Sequence, residues 1–328
     1  MTLLYADKAP EISSTQTEAT DVPAQPMPGG RRLRSEPAVG RRGRTSRRPL
    51  STTRGIVVWV LASISLLTLW FVFYAVVLTA IQQSNQQSVL YSSLREQLAL
   101  QTAPLGDQIK PGTAVALISA PSIGITDVVV VEGTASGDLM SGPGHRRDTV
   151  LPGQRGVAVL YGRGSLFGGP FARINAAAVG DVISVTTGQG VFTYKVEGIR
   201  RAGDRFPQPV TGDAGRLTLA TADGSGRLGA LTPTGTVYLD AKLVGAGQPA
   251  PGGRTPGVPR AEQAMQGDGS ALLPLAIAIP LLLGSLIFVV WSRQRWGGWQ
   301  TWLIGMPLVL ATLWAVSQAA VQLLPNLL

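Results

Sequence analysis

The chain has 328 residues, 45% hydrophobic and only 14% charged, with a formal net charge of +9 and no cysteine. So little charge over such a length points to membrane-spanning segments, and the lack of thiols excludes disulfides, thiolate metal sites and a cysteine nucleophile. The basic excess is uneven: residues 1–54 carry ten Lys/Arg against five Asp/Glu, whereas residues 81–270 carry sixteen against fourteen. It therefore sits beside apolar runs, as the positive-inside effect requires. No aromatic residues interleave with the arginines, so the run does not read as a nucleic-acid surface.

In chain order, residues 1–54 are rich in Pro, Gly, Ser, Thr and Arg and lack apolar periodicity, which predicts a disordered basic cytoplasmic tail. Residues 55–80 contain no charge and are long enough to span a bilayer as a retained anchor, transmembrane helix 1. Residues 81–110 form a stalk, with Val89, Leu90, Leu94 and Leu98 at helical spacing, stopped by Pro104 and Gly106.

From residue 111 to 244 the pattern becomes that of a mainly β domain. Strands are expected at 114–119, 127–132, 156–161, 181–187, 191–196, 216–221 and 236–244, short and rich in Val, Ile, Thr and Tyr. Pro170 to Ile174 reads as a short helical turn opened by proline. Short strands at such intervals fit either a closed barrel or a sandwich. Residues 245–270 read as an exposed Gly/Pro-rich linker. Residues 271–291 and 300–324 are apolar enough for transmembrane helices 2 and 3, joined by a cytoplasmic turn at 292–299 with Arg293 and Arg295. Both ends of the β domain are then tethered to the bilayer, with the domain and the chain's far end outside.

Several motifs stand in a particular order within the β domain: Val131-Glu132-Gly133-Thr134, Gly142-Pro143-Gly144-His145, Leu151-Pro152-Gly153-Gln154, Tyr161-Gly162-Arg163 and Leu217-Thr218-Leu219-Ala220-Thr221-Ala222. In order and spacing this stretch resembles a sortase domain of the actinobacterial, class E-like type. Sortases are extracytoplasmic cysteine transpeptidases built on a closed β-barrel, so the resemblance chooses the barrel. It implies a thiolate nucleophile acting on signals such as Leu-Pro-x-Thr-Gly, a His that handles protons and an Arg that stabilises the oxyanion. Residue by residue, the three catalytic positions fall on Ala222, Arg163 and Thr236, and all three are substituted. A guanidinium cannot act as general base, and alanine carries no nucleophile.

These observations predict a sortase-like, catalytically silent protein of a bacterial plasma membrane, multi-pass, with its barrel serving cell-surface protein sorting as a binding or scaffold module. Arg163, Thr221, Asp223 and Thr236 are the binding candidates. The expected partners are the lipid bilayer and a sorting-signal-like peptide, a cell-surface protein or an active sortase; no cofactor, metal or nucleic acid is expected. One alternative is a relocated non-cysteine active site built from Thr221, Ser225, Asp223 or His145, although His145 in its Gly-Pro-Gly-His turn reads more simply as a local hydrogen-bonding residue. Another is a subunit of a membrane complex, packing through Ser317, Gln318, Ala319 and Ala320. Leu151-Pro152-Gly153-Gln154 lacks the Thr-Gly of a sorting signal and matches an internal motif of the family, so it is not read as a substrate site.

Overall fold

The computed structural model describes residues 52–106, 108–224, 233 and 235–328. The expectation for the basic tail lies outside these residues, as does Ser225. Eight strands close into a barrel: β1 (Ala114–Ala120), β2 (Ile125–Glu132), β3 (Gly144–His145), β4 (Gly156–Tyr161), β5 (Val182–Thr187), β6 (Gly190–Arg201), β7 (Gly215–Asp223) and β8 (Gly235–Leu243). Their order around the barrel is β1-β2-β3-β4-β7-β8-β6-β5. The parallel pairs are β2 with β3 and β4 with β7; the remaining pairs are antiparallel.

Period-two alternation decides which side chains fill the barrel. Ala158 and Leu160 of β4, Leu217 and Leu219 of β7, and Val237, Leu239 and Ala241 of β8 point into one apolar core. Their alternates, Val159, Tyr161, Thr218, Ala220, Tyr238 and Asp240, lie on the outer face of the same three strands. Seven strands fall where the alternation predicts. β3 has only two residues, too few to show a period. β6 runs past its expected end at Val196 because a register shift at Gly198 lets pairing with β8 resume through Arg201.

The expected first span and stalk form a continuous helical rod: α1 (Thr52–Phe73), a π-helical turn (Tyr74–Leu78) and α2 (Thr79–Ala99). The stalk does not stand free. Leu90, Leu94 and Leu98 pack on Ala114, Leu117 and Val129 of the barrel wall. Gln87 reads the β2 backbone directly: its amide donates to the carbonyls of Val129 (3.0 Å) and Ser141 (2.7 Å), and it accepts from the Val129 N–H (2.8 Å).

α3 (Leu272–Trp296) and α4 (Gly298–Gln322) form an antiparallel hairpin. The turn expected at 292–299 is mostly helix: α3 continues through Arg293 and Arg295, and the break is Gly297 alone, at φ 96°. Four non-glycine residues follow Ser292 without any helix breaker, and only glycine accepts that backbone angle readily. Ser292 and Thr301 pair through their hydroxyls at 3.1 Å across the bend. Trp70 donates to Ser317 (3.1 Å) and Tyr74 to Gln318 (3.0 Å), so the polar face of α4 is used within the chain, against the first helix. Among the described residues three helices, within Gly55–Ala99, Gly269–Trp296 and Gly298–Gln322, are long and apolar enough to cross a membrane.

The linker expected at 245–270 is instead strapped to the barrel. Arg155 N–H donates to the Gln248 carbonyl (3.0 Å), Arg147 Nε to Glu262 (2.9 Å), and Thr134 Oγ1 to the Glu262 carbonyl (2.7 Å). Its Gly/Pro composition fits an irregular path, but this ion pair and these hydrogen bonds hold that path in place.

Candidate functional site

The outer face of β4, β7 and β8 forms the floor of a groove. The parallel pairing sets Tyr161 opposite Ala220, and the antiparallel pairing sets Ala222 opposite Thr236. Arg163 and Ala222 each follow that Tyr161–Ala220 pair by two residues, so the backbones of Arg163, Ala222 and Thr236 lie at one end of the barrel. Thr236 is 6% exposed and its carbonyl accepts from Ala202 N–H.

The Arg163 side chain does not reach into the open groove. It is fully buried, with Nη2 donating to the Ser136 carbonyl (2.9 Å) and hydroxyl (2.7 Å) and its guanidinium over the Phe167 ring at 4.9 Å. No carboxylate pairs with it among the described residues, and burial pushes it down to about 9. Its Nε and Nη1 have no hydrogen-bond partner among the described residues, nor does the buried Thr221 hydroxyl. Asp223 is held by Arg201 Nε at 2.9 Å.

His145 is wholly buried away from solvent. Nδ1 lies 2.8 Å from Glu132 and Nε2 lies 2.8 Å from the Val150 carbonyl and 3.2 Å from the Thr149 hydroxyl. These contacts tie the β3 turn to β2, as expected of a structural residue. Arg254 from the strap approaches the same Glu132 at 3.6 Å. The described residues therefore show no histidine beside Thr221.

Away from Ala222 the groove opens into a cavity of about 640 Å³, walled by the β6–β7 loop. Thr218 Oγ1 donates to Asp240 (2.6 Å), which also accepts from Arg200 Nε (2.7 Å). The Arg200 guanidinium covers Tyr238 at 4.2 Å and Phe206 at 5.3 Å. This Thr218–Asp240–Arg200 relay went unnamed in the sequence reading. The signal was there: Thr218 and Asp240 stand four residues from Ala222 and Thr236 on their strands, an even number and hence the same face. At the other end a roof covers the groove. Leu139, Ala264, Met265 and Leu327 pack on Tyr161, Ala220, Ala222 and Tyr238. Asp138 in that roof accepts from Ala135 N–H (3.3 Å), and burial pushes its carboxyl up to about 6.

Comparison with known proteins shows what this barrel and its motifs are similar to. The Sortase domain family model matches residues 118–227, the stretch that holds most of the barrel. Sortase D of Bacillus subtilis (strain 168) is 32% identical over 85 residues, which cover 26% of this chain and 41% of that protein. The chain thus matches less than half the length of that curated relative. Among solved structures, a Clostridium perfringens sortase D5 transpeptidase is 23% identical, covering 49% of this chain and 99% of its own, at a TM-score of 0.39. The Actinomyces oris SrtA sortase is 25% identical over 48% of this chain and 96% of its own, at 0.37. Sortase E1 from Streptomyces coelicolor, solved with a tripeptide in its active site, is 24% identical over 43% and 93%, at 0.34.

Proposed function

We propose that this is a membrane-anchored sortase-like protein that holds a peptide without cleaving it, a binding or scaffold module for cell-surface protein sorting on the outer face of a bacterial plasma membrane. The observation that carries the reading is the occupant of the nucleophile position: Ala222, in a chain with no cysteine. Acyl transfer needs a nucleophile, a proton carrier and an oxyanion donor. The matching positions supply a methyl group, a buried guanidinium turned toward Ser136, and one neutral hydroxyl. Loss of a single oxyanion donor costs about 3–4 kcal/mol of transition-state stabilisation, and here the nucleophile is missing as well. What remains is a recess with an apolar floor of Val157, Val159 and Tyr161 and a polar relay on Asp240, features suited to an extended peptide.

The test uses the purified full chain with fluorogenic peptides of several sorting-signal types, with and without a glycine nucleophile. We expect no turnover above a denatured control, together with saturable binding by fluorescence anisotropy that weakens when Tyr238→Ala or Asp240→Ala removes part of the groove. Turnover abolished by Thr221→Ala or Ser225→Ala would overturn the reading in favour of a relocated active site.

A further inference from the structure

We propose that the roofed end of the groove is a binding site for an extended peptide segment, and that Asn326–Leu328, just beyond α4, fill it in cis as a removable plug. This rests on reading the groove as a peptide site and assigns that site its regulation.

The segment is held as a ligand is held, by main chain and side chain together. Gly164 N–H donates to the Leu327 carbonyl (2.9 Å) and Leu166 N–H to the Leu328 carbonyl (3.4 Å), both from the loop that follows β4. The Asn326 side-chain amide donates to the carbonyls of Thr134 (2.8 Å) and Gln263 (2.9 Å), and its backbone N–H donates to that of Gln266 (2.9 Å). Leu327, 0% exposed, fills an apolar pit of Leu139, Tyr161 and Ala220, with Ala222 at its edge. Leu328 packs beside it among Phe167, Leu166 and Tyr74. Three separate loops thus converge on three consecutive residues.

The polar lining of this pit is not matched to its occupant. Buried polar groups in a settled core nearly always find partners. Here the Thr221 hydroxyl, 3.1 Å from where a Cβ on Gly164 would sit, is buried and has none among the described residues, and the plug's own Asn326 Oδ1 likewise has none. Arg163 and Thr221 flank Gly164, whose N–H binds the plug. An unmet hydroxyl beside a leucine occupant marks a site able to take a peptide that offers it an acceptor. The plug is also joined directly to the membrane hairpin: Leu323 and Leu324 continue the last turn of α4, and the strap passes so near that a Cβ on Gly267 would run into the Leu323 carbonyl. Movement of α4 therefore moves the plug.

Because the chain has no cysteine, one introduced thiol is the sole reporter. In the full chain, the thiol of Ala222→Cys should react with a maleimide at least about ten-fold more slowly than that of Val179→Cys, whose parent side chain is 76% exposed. Added to the Ala222→Cys chain, Leu327→Asp, or independently Gly267→Val, should raise the labelling rate at position 222 at least about ten-fold while cooperative unfolding is retained. A synthetic peptide with the sequence of residues 322–328 should restore protection. Equal rates at 222 and 179, no acceleration by either second change, or no protection by the peptide would overturn the plug. If the first variant fails to fold, the Gly267 variant carries the test. A sorting-signal peptide forms a separate arm: protection by the 322–328 peptide but not by sorting-signal peptides leaves the plug standing and removes the proposed function.

Discussion

Arg163 lies fully buried two residues beyond the end of β4. Its guanidinium has a hydroxyl, a carbonyl and an aromatic ring as partners and, among the described residues, no countercharge to compensate its desolvation. Its ionised form is disfavoured in the folded state, with the folded value near 9 and the unfolded value at the ordinary arginine position. Above about pH 9 the unfolded chain binds more protons than the folded one at this site, so the penalty is full below that pH and is relieved as pH rises further. The expected outcome is that Arg163→Met unfolds at equal or higher denaturant concentration than the parent at pH 7, by up to about 3 kcal/mol. The gap should narrow between pH 9 and 11. Paired denaturation curves at several pH values measure this; a large destabilisation at neutral pH would show that the Ser136 and Phe167 contacts outweigh the desolvation. Arg163, Ala222 and Thr236 were singled out by the resemblance of strand motifs such as Leu217–Ala222 to those of sortases, not by alternation, which Ala220 interrupts. The inward turn of Arg163 was not legible, since no local pattern reveals that Ser136, twenty-seven residues earlier, waits for it.

At the scale of elements, the bond between α2 and β2 has a definite test. Val129 lies in β2 before the pairing with β3 begins at Val131, and Gln87 supplies both a donor and an acceptor to its main chain. Gln87→Ala leaves a fully buried backbone N–H and C=O without that partner, and we expect a loss of about 1–3 kcal/mol in unfolding experiments. Gln87→Glu should be no better, since the carboxylate keeps the acceptor but turns an oxygen toward two carbonyls. An unchanged midpoint for both variants would mean that the apolar contacts of Leu90, Leu94 and Leu98 suffice. The helical stalk was readable from the spacing of those leucines; its docking was not, because glutamine in a polar run looks like a solvated face. Likewise the π-turn at Tyr74–Leu78 leaves no mark in an apolar run, although it falls where Tyr74 turns to Gln318 and Thr79 to the backbone N–H of Phe167.

For the whole molecule the expectation is a topology: residues 1–54 and the bend at Gly297 inside, the barrel outside. The arginines of the tail and those at 293 and 295 sit beside apolar spans, which is the arrangement positive-inside topology predicts. A single cysteine at Trp296→Cys should resist an impermeant thiol reagent applied to intact cells, whereas Val179→Cys on the barrel should label. The reverse pattern would invert the topology.

The hydrogen bond from Asn326 to Thr134 joins residues 192 positions apart. Thr134 leaves the ribosome long before Asn326, and chains generally fold in the order in which they emerge. The barrel's strands are all synthesised before the hairpin exists, yet its roof lacks its last pieces until α4 has been made and seated. The roof over the barrel is thus finished by the segment beyond the apolar hairpin, and a copy whose hairpin is not seated would carry an unroofed barrel that proteases can recognise.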